Sequence, residues 1–327
     1  MNAACVPVTF VNKQGYRLFG ILHQPAHAEP DVPAILLLSP GVKTRVAPHG
    51  LYKKMAETFV TMGYPVLRFD FYGLGDSEGE VTEDLLADLY GTIQVGRYVD
   101  DTVAAMNWME QTYGIRRFIV GGLCGGAITG LLTAERDARV DSLLALAIPA
   151  IVEGSKVDSA KYMTTGQLEE IRDGYFSKLN PFNPRAWSAL VRFVSFRSDY
   201  RLLASSMIKP LRNRLRRQAA PTSTPPAATD NANPLFAPAF FRMVGSGRRV
   251  LFVFAGADRL YWEFETKFTD RHQQQLGRYT TLFGVHVTDR ANHIFSLPEW
   301  QRDMLDQCCR WLAAARADGL VAPSRMV

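Results

Sequence analysis

Residues 117–127 read Arg-Phe-Ile-Val-Gly-Gly-Leu-Cys-Gly-Gly-Ala. An apolar run ends in a Gly-x-Cys-x-Gly turn with Cys124 at its apex. The small residues on both sides let the chain reverse sharply and hold Cys124 in a strained conformation. The apolar segment 127–134 then reads as a helix. Strand, tight turn and helix together form the context of a nucleophile elbow. Such a turn aims the sulfur into a cleft and points a helix N-terminus at it, where the positive end favours thiolate and oxyanion alike. The chemistry this predicts is attack of a thiolate on an acyl carbonyl.

A thiol nucleophile needs a base, and the base needs an orienting group. In open α/β sheets such groups collect beyond the carboxyl ends of strands. The apolar run 250–254 leads into Ala255-Gly256-Ala257-Asp258, which places a carboxylate just past a strand. The run 284–287 is followed by Thr288-Asp289-Arg290-Ala291-Asn292-His293, which places an imidazole ahead of a helix. The chain order is therefore nucleophile Cys124, acid Asp258, base His293. Glu263 is the rival acid. Among the other histidines, His286 lies inside a strand, His23 and His27 flank the N-terminal hairpin, and His272 sits in a polar helical run. His49 follows the third strand in a loop that borders the site, and is a candidate substrate contact. Asp70 and Asp76 read as loop-fixing residues.

The elements that must position these groups follow from periodicity and punctuation. Segments 6–12 and 16–23 flank Lys13-Gln14-Gly15 and read as a β-hairpin. The continuous apolar runs 34–38, 65–69, 117–123, 142–148 and 250–254 read as buried strands. Segments 52–62, 99–113 and 296–315 read as helices, the last opened by a Ser296-x-x-Glu299 capping box. Alternating strands and helices predict an α/β fold with a mostly parallel central sheet flanked by helices.

Residues 151–248 break that alternation. Segments 167–178 and 184–197 look helical and carry Tyr175, Phe176, Phe182, Trp187, Phe193 and Phe196. Segment 218–234 is rich in Ala, Pro, Thr, Ser and Asn and reads as a mobile loop. The expected organisation is a core of 1–150 and 249–327 with a helical lid inserted at 151–248. Between Lys156 and Arg217 stand 13 basic and 5 acidic residues, against a net charge of +5 for the whole chain. Such a lid suits an acidic carrier protein, a coenzyme A phosphate or an anionic surface; a solvated helical face is the plainer reading. No nucleic-acid motif accompanies the charge, so nucleic-acid binding is not expected.

The bulk numbers fit this picture. The chain has 327 residues, 47% of them hydrophobic, and no apolar run of transmembrane length. Residues 1–7 lack the basic and apolar regions of a signal peptide. Four cysteines form neither a disulfide framework nor a zinc motif, so a reducing cytoplasm is the expected compartment. No metal or cofactor is called for, and the oligomeric state is open.

The chain resembles the α/β-hydrolase superfamily over most of its length outside 151–248. The resemblance rests on the elbow Gly122-Leu123-Cys124-Gly125-Gly126, the turn Gly256-Ala257-Asp258 and the loop Ala291-Asn292-His293. It rests also on Arg68-Phe69-Asp70-Phe71-Tyr72-Gly73-Leu74-Gly75-Asp76-Ser77, which is similar to the family's Arg-x-Asp-x-x-Gly-x-Gly-x-Ser loop. A cysteine elbow also occurs in dienelactone hydrolases and polyhydroxyalkanoate synthases. Arg45-x-x-Pro48-His49-x-Leu51-Tyr52 and Arg197-Ser198-Asp199-Tyr200 are similar to bacterial exosortase-system-associated hydrolases. The resemblance implies an oxyanion hole from two backbone amides, one of Gly125 and one of Val42 in the Pro40-Gly41-Val42 loop. Here Pro40-Gly41 stands where the family's His-Gly is usual.

A thiolate suits esters and thioesters better than unactivated amides, because it leaves a tetrahedral adduct more readily than an unprotonated amine. The expected activity is hydrolysis of a carboxylic ester or thioester of a small acyl substrate through an acyl-enzyme. An acyltransferase or cyclising enzyme passing the acyl group to an alcohol or amine is the alternative. A non-catalytic binding protein on the same scaffold is the third reading.

Overall fold

The computed structural model describes residues 4–26, 31–83, 85–153 and 230–317. Eight strands form one sheet in the order β1-β2-β4-β3-β5-β6-β7-β8. They are β1 Ala4–Val11, β2 Arg17–Gln24, β3 Ala34–Leu38, β4 Val66–Phe69, β5 Phe118–Leu123, β6 Val140–Leu146, β7 Arg249–Ala255 and β8 Phe283–Thr288. β2 pairs antiparallel with both β1 and β4, and every other pairing is parallel. β3 and β5, at the centre, are buried along their whole length. This is why they read as unbroken apolar runs rather than as an alternation.

Helices cover both faces. On one face α1 (Leu51–Thr61) and α8 (Pro298–Ala317) pack over Ile35, Leu37 and Ile119. On the other α2 (Leu86–Gln94), α3 (Val99–Tyr113), α4 (Gly125–Arg136) and α5 (Phe236–Gly245) pack over Leu36, Leu38 and Val120. The alternation of β3 side chains between the two clusters follows from the period of two along a strand. After β7 come α6 (Arg259–Phe264), a π-helical turn Glu265–Thr269 and α7 (Asp270–Leu276).

The chain divides into two compact units, 1–155 with 231–327, and 156–230. The second boundary thus lies earlier than the expected 248. Residues 231–248 belong to the core: Phe236, Phe240, Met243 and Val244 are buried, and α5 packs on α4 and β7. Ile151 bridges antiparallel to Ala232, with Val152 N–H donating to Asn231 O at 2.9 Å and Asn233 N–H to Ala150 O at 2.9 Å. The helices, aromatic residues and basic run expected within 156–217 lie outside the described residues, as do His27 and 218–229 of the expected loop.

Two local expectations change. Segment 86–94, not singled out in the sequence, is a helix. The terminal helix opens at Pro298, a favourable first helical residue, rather than at Ser296. The Ser296 hydroxyl accepts instead from Asn292 Nδ2 at 2.8 Å.

Candidate active site

Cys124 joins β5 to α4 at φ 54° and ψ −113°. For a residue with a side chain, such a backbone costs about 1–3 kcal/mol and persists only where neighbours fix it. Its N–H donates to Leu146 O at 2.8 Å, and its carbonyl accepts from Ala127 and Ile128 at 3.0 and 3.2 Å. The flanking glycines are required by contact. A Cβ on Gly126 would lie 2.2 Å from Leu38 O, and one on Gly122 would lie 2.5 Å from Gly126 C. Tyr52, fully buried on α1, donates its hydroxyl to Leu38 O at 2.7 Å and accepts Leu123 N–H at 2.6 Å. One phenol therefore ties the end of β3 to the residue before the elbow. Burial, with Cys124 nearby, pushes its pKa far above the usual phenol value.

Gly125 is the first residue of α4, so its N–H has no carbonyl one turn back and is free for an anion. The loop after β3 presses against it, since a Cβ on Gly125 would meet Gly41 Cα at 2.8 Å. In that loop the Gly41 N–H donates to Ser39 O at 2.6 Å and the Val42 N–H to Pro40 O at 3.0 Å. The amide expected from Val42 is thus engaged in a tight turn. His49 lies further along, in the 3-10 turn Pro48–Gly50 at φ 56°. No hydrogen bond or ion pair joins it to Cys124, Asp258 or His293 among the described residues.

Arg45 clamps this loop to the segment after β4. Its backbone N–H reaches Asp70 Oδ1 at 2.5 Å, and its guanidinium pairs with Asp70 and Asp76. Asp70 is fully buried. Gly75 at φ 57° leaves room for it, since a Cβ there would lie 2.2 Å from Asp70 Oδ2. Ser77 donates its hydroxyl to Asp70 O at 2.7 Å and accepts Phe19 N–H at 3.0 Å. The Arg-x-Asp-x-x-Gly-x-Gly-x-Ser segment is thereby a brace between β2, β4 and the loop beside the elbow.

The acid and base loops are stitched together by backbone. Gly256 N–H donates to Thr288 O and Ala257 N–H to Ala291 O, both at 2.9 Å. Asp258, 7% exposed, caps α6 through Leu260 N–H at 3.3 Å and holds His293 Nδ1 with its other oxygen at 2.6 Å. Asn292 clasps the His293 loop, accepting Ser296 N–H at 3.1 Å. Burial opposes the imidazolium. The charges and hydrogen bonds of Asp258 and Cys124 more than offset it and raise the His293 pKa well above its ordinary value. The Cys124 thiol lies near enough to the ring to contribute to that shift. Three residues separated by 134 and 35 positions in the chain are therefore brought together, Asp258 bonded to His293 and Cys124 beside it.

The competing residues have other partners. Glu263 pairs with Arg259 at 3.4 Å, and burial raises its pKa. His286 meets Asp303 Oδ2 at 2.7 Å, and His23 accepts from Arg68 Nε at 2.9 Å. Cys308 is buried in the core, where burial drives its thiol pKa up, and Cys5 is exposed on β1. Two tyrosines have places that the sequence did not show: Tyr52, which stood there only as the end of a motif, and Tyr90 on α2, which feels the charge of both Cys124 and Arg259. Tyrosines at helical spacing read as core; the motif contains Tyr52 without giving it a role, and nothing in the sequence marks Tyr90. Among the described residues no His/Cys/Asp/Glu group is placed to hold a metal, and no helix is long and apolar enough to cross a membrane.

Comparison with known proteins gives the same fold. An esterase from Pyrococcus furiosus superposes with a TM-score of 0.54 at 16% identity, over 95% of this chain and 93% of that one. A proline iminopeptidase from Mycobacterium smegmatis gives a TM-score of 0.54 at 16% identity, over 95% and 100%. The esterase domain of a Rhodothermus marinus protein gives 0.51 at 14%, over 95% and 99%. No curated protein matches the sequence. The family model for the alpha/beta hydrolase fold matches residues 33–271. That span covers most of the chain and runs from β3 through the Asp258 turn, so the chain belongs to the α/β-hydrolase family.

Proposed function

We propose that the protein is a hydrolase of carboxylic esters or thioesters that works through Cys124, Asp258 and His293 and a covalent acyl-thioester on Cys124. The observation that carries this reading is geometric: Cys124 stands at the strained turn between β5 and α4, and His293 is held by Asp258 Oδ2 at 2.6 Å, with its pKa raised by the charges of Asp258 and Cys124. An imidazolium held between a thiol and a carboxylate is the counter-ion that a thiolate nucleophile requires. Thiolate sulfur attacks the acyl carbon, and the carbonyl π pair moves to oxygen. When the carbonyl re-forms, the leaving group departs with the proton from His293 Nε2. Water, deprotonated by the now neutral His293, then attacks the thioester and releases the acid. Asp258 fixes the tautomer throughout by accepting from Nδ1. The Gly125 N–H faces the developing oxyanion, and the Val42 N–H can join it only by leaving Pro40 O.

The test is turnover of short-chain p-nitrophenyl esters and acyl thioesters by wild type, Cys124→Ala and His293→Ala, with products identified. Free acid released by wild type, with turnover falling by at least about 10³-fold in both variants, is the expected result. Acyl product formed only with an added alcohol or amine would make the protein a transferase. Turnover that survives in Cys124→Ala would overturn the assignment.

A further inference from the structure

An oxyanion site needs converging donors, yet the loop amide on the β3 side is turned onto Pro40 O, so on that side no backbone N–H joins the donors at the start of α4, of which Gly125 N–H follows the nucleophile. The helix above this point supplies a second group. On α2, Ile93 lies directly over the paired glycines: a Cβ on Gly125 would come within 3.0 Å of Ile93 Cγ2, and one on Gly41 within 3.3 Å of Ile93 Cδ1. Residues three apart on a helix share a face. Tyr90, one turn before Ile93, therefore faces the elbow from the same side, and its ring lies within electrostatic reach of Cys124 and of Arg259. The end of the helix is anchored. Gln94, 3% exposed, accepts Glu153 N–H at 2.5 Å through Oε1 and Asn233 Nδ2–H at 2.8 Å through its carbonyl. Arg259, adjacent to the acid, pairs with Glu153 and so fixes the same corner.

We propose that the Tyr90 hydroxyl is the second donor of the oxyanion site, acting on the substrate oxygen in place of the loop amide. This role rests on the Cys124 nucleophile proposed above. The phenol suits it chemically. Burial, together with the neighbouring Cys124, pushes its pKa up to about 12, so it keeps its proton and acts as a donor at neutral pH. Its hydroxyl makes no hydrogen bond to a described residue, so it is free to turn to a ligand. As sulfur bonds to the acyl carbon, the oxygen takes the π pair and Tyr90 O–H hydrogen-bonds to it. The phenol proton stays on Tyr90, and the leaving group takes its proton from His293.

The experiment compares wild type, Tyr90→Phe and Cys124→Ala in three readouts. They are the burst of p-nitrophenol from p-nitrophenyl butyrate in stopped flow, the acyl mass on the protein, and the rate of Cys124 alkylation by iodoacetamide. Alkylation passes through no tetrahedral oxyanion, so it reports the thiolate alone. The expected result is an acylation rate lowered on the order of 10²-fold in Tyr90→Phe. The substrate dissociation constant from the burst rates, the thermal midpoint and the alkylation rate should stay close to wild type. Acylation at the wild-type rate overturns the proposal, as does an equal fall in acylation and alkylation, which would make Tyr90 a modulator of the thiolate. Absence of any acyl mass on wild type overturns the nucleophile and this role with it.

Discussion

At the residue scale, the proposed chemistry rests on three side chains that stand beyond the ends of strands. Cys124, Asp258 and His293 were legible because each stands just past an apolar run, and their order fits one known arrangement. The sequence could not reveal that Val42 N–H would be turned onto Pro40 O, because that bond depends on the backbone conformation of a loop packed against Gly125. Nor could it separate Tyr52 and Tyr90 from ordinary core aromatics, since the groups they lie beside are distant in sequence. The His293 environment makes a definite prediction. Its folded pKa is raised, so the imidazolium and the stabilisation it brings are complete below the unfolded value of about 6.5 and are lost as pH rises through the raised value. Asp258→Asn removes one of the two charges responsible. The alkaline limb of kcat/KM should then move down by about 1–3 pH units, and kcat should fall by up to about 10⁴-fold. An unmoved alkaline limb would detach Asp258 from the base.

At the scale of elements, the fold is held around the site by a few long-range ties. Tyr52→Phe leaves Leu123 N–H and Leu38 O without their shared buried partner. Chemical denaturation should show a loss of about 1–3 kcal/mol, with the elbow affected before the rest of the sheet. Gly126→Ala should be worse, because Leu38 O has no room to move away from a Cβ. A second tie responds to pH. Asp101 on α3 accepts Asn12 Nδ2–H and Tyr72 N–H, both at 2.8 Å, and burial raises its pKa to about 6. A carboxyl with a raised folded pKa binds its proton more tightly in the native state, so stability should fall as pH rises from about 4 to 6. Unfolding midpoints across that range should show this slope in wild type and not in Asp101→Asn. The strands and the longest helices were readable from apolar runs and periodicity. Helix α2 was not, because Gly91 interrupts a short segment that lies between a glycine-rich loop and the turn at Gly96. Helix α5 was assigned to the insertion because it follows the Pro- and Ala-rich stretch, whereas its burial against α4 and β7 is a tertiary fact.

At the scale of the whole molecule, the core leaves and re-enters the sheet region at one place. Ile151 and Ala232 are paired, and the neighbouring backbone bonds close a short antiparallel clasp. Loop-closure entropy grows only slowly with loop length, so a short linker can replace a long excursion between such points. A variant with residues 156–230 replaced by a Gly/Ser linker should keep a cooperative thermal transition and its α/β circular dichroism signature. A molten or aggregated product would show that the core depends on that unit. The central claim is a covalent acyl-enzyme on Cys124, and intact-protein mass spectrometry tests it most directly. Wild type and Cys124→Ala would be mixed with a panel of acyl thioesters and p-nitrophenyl esters, quenched in acid and mapped after digestion. The account predicts a single added acyl mass on the peptide carrying Cys124 in wild type, absent from the variant. An acyl mass elsewhere, or retained in Cys124→Ala, would contradict it.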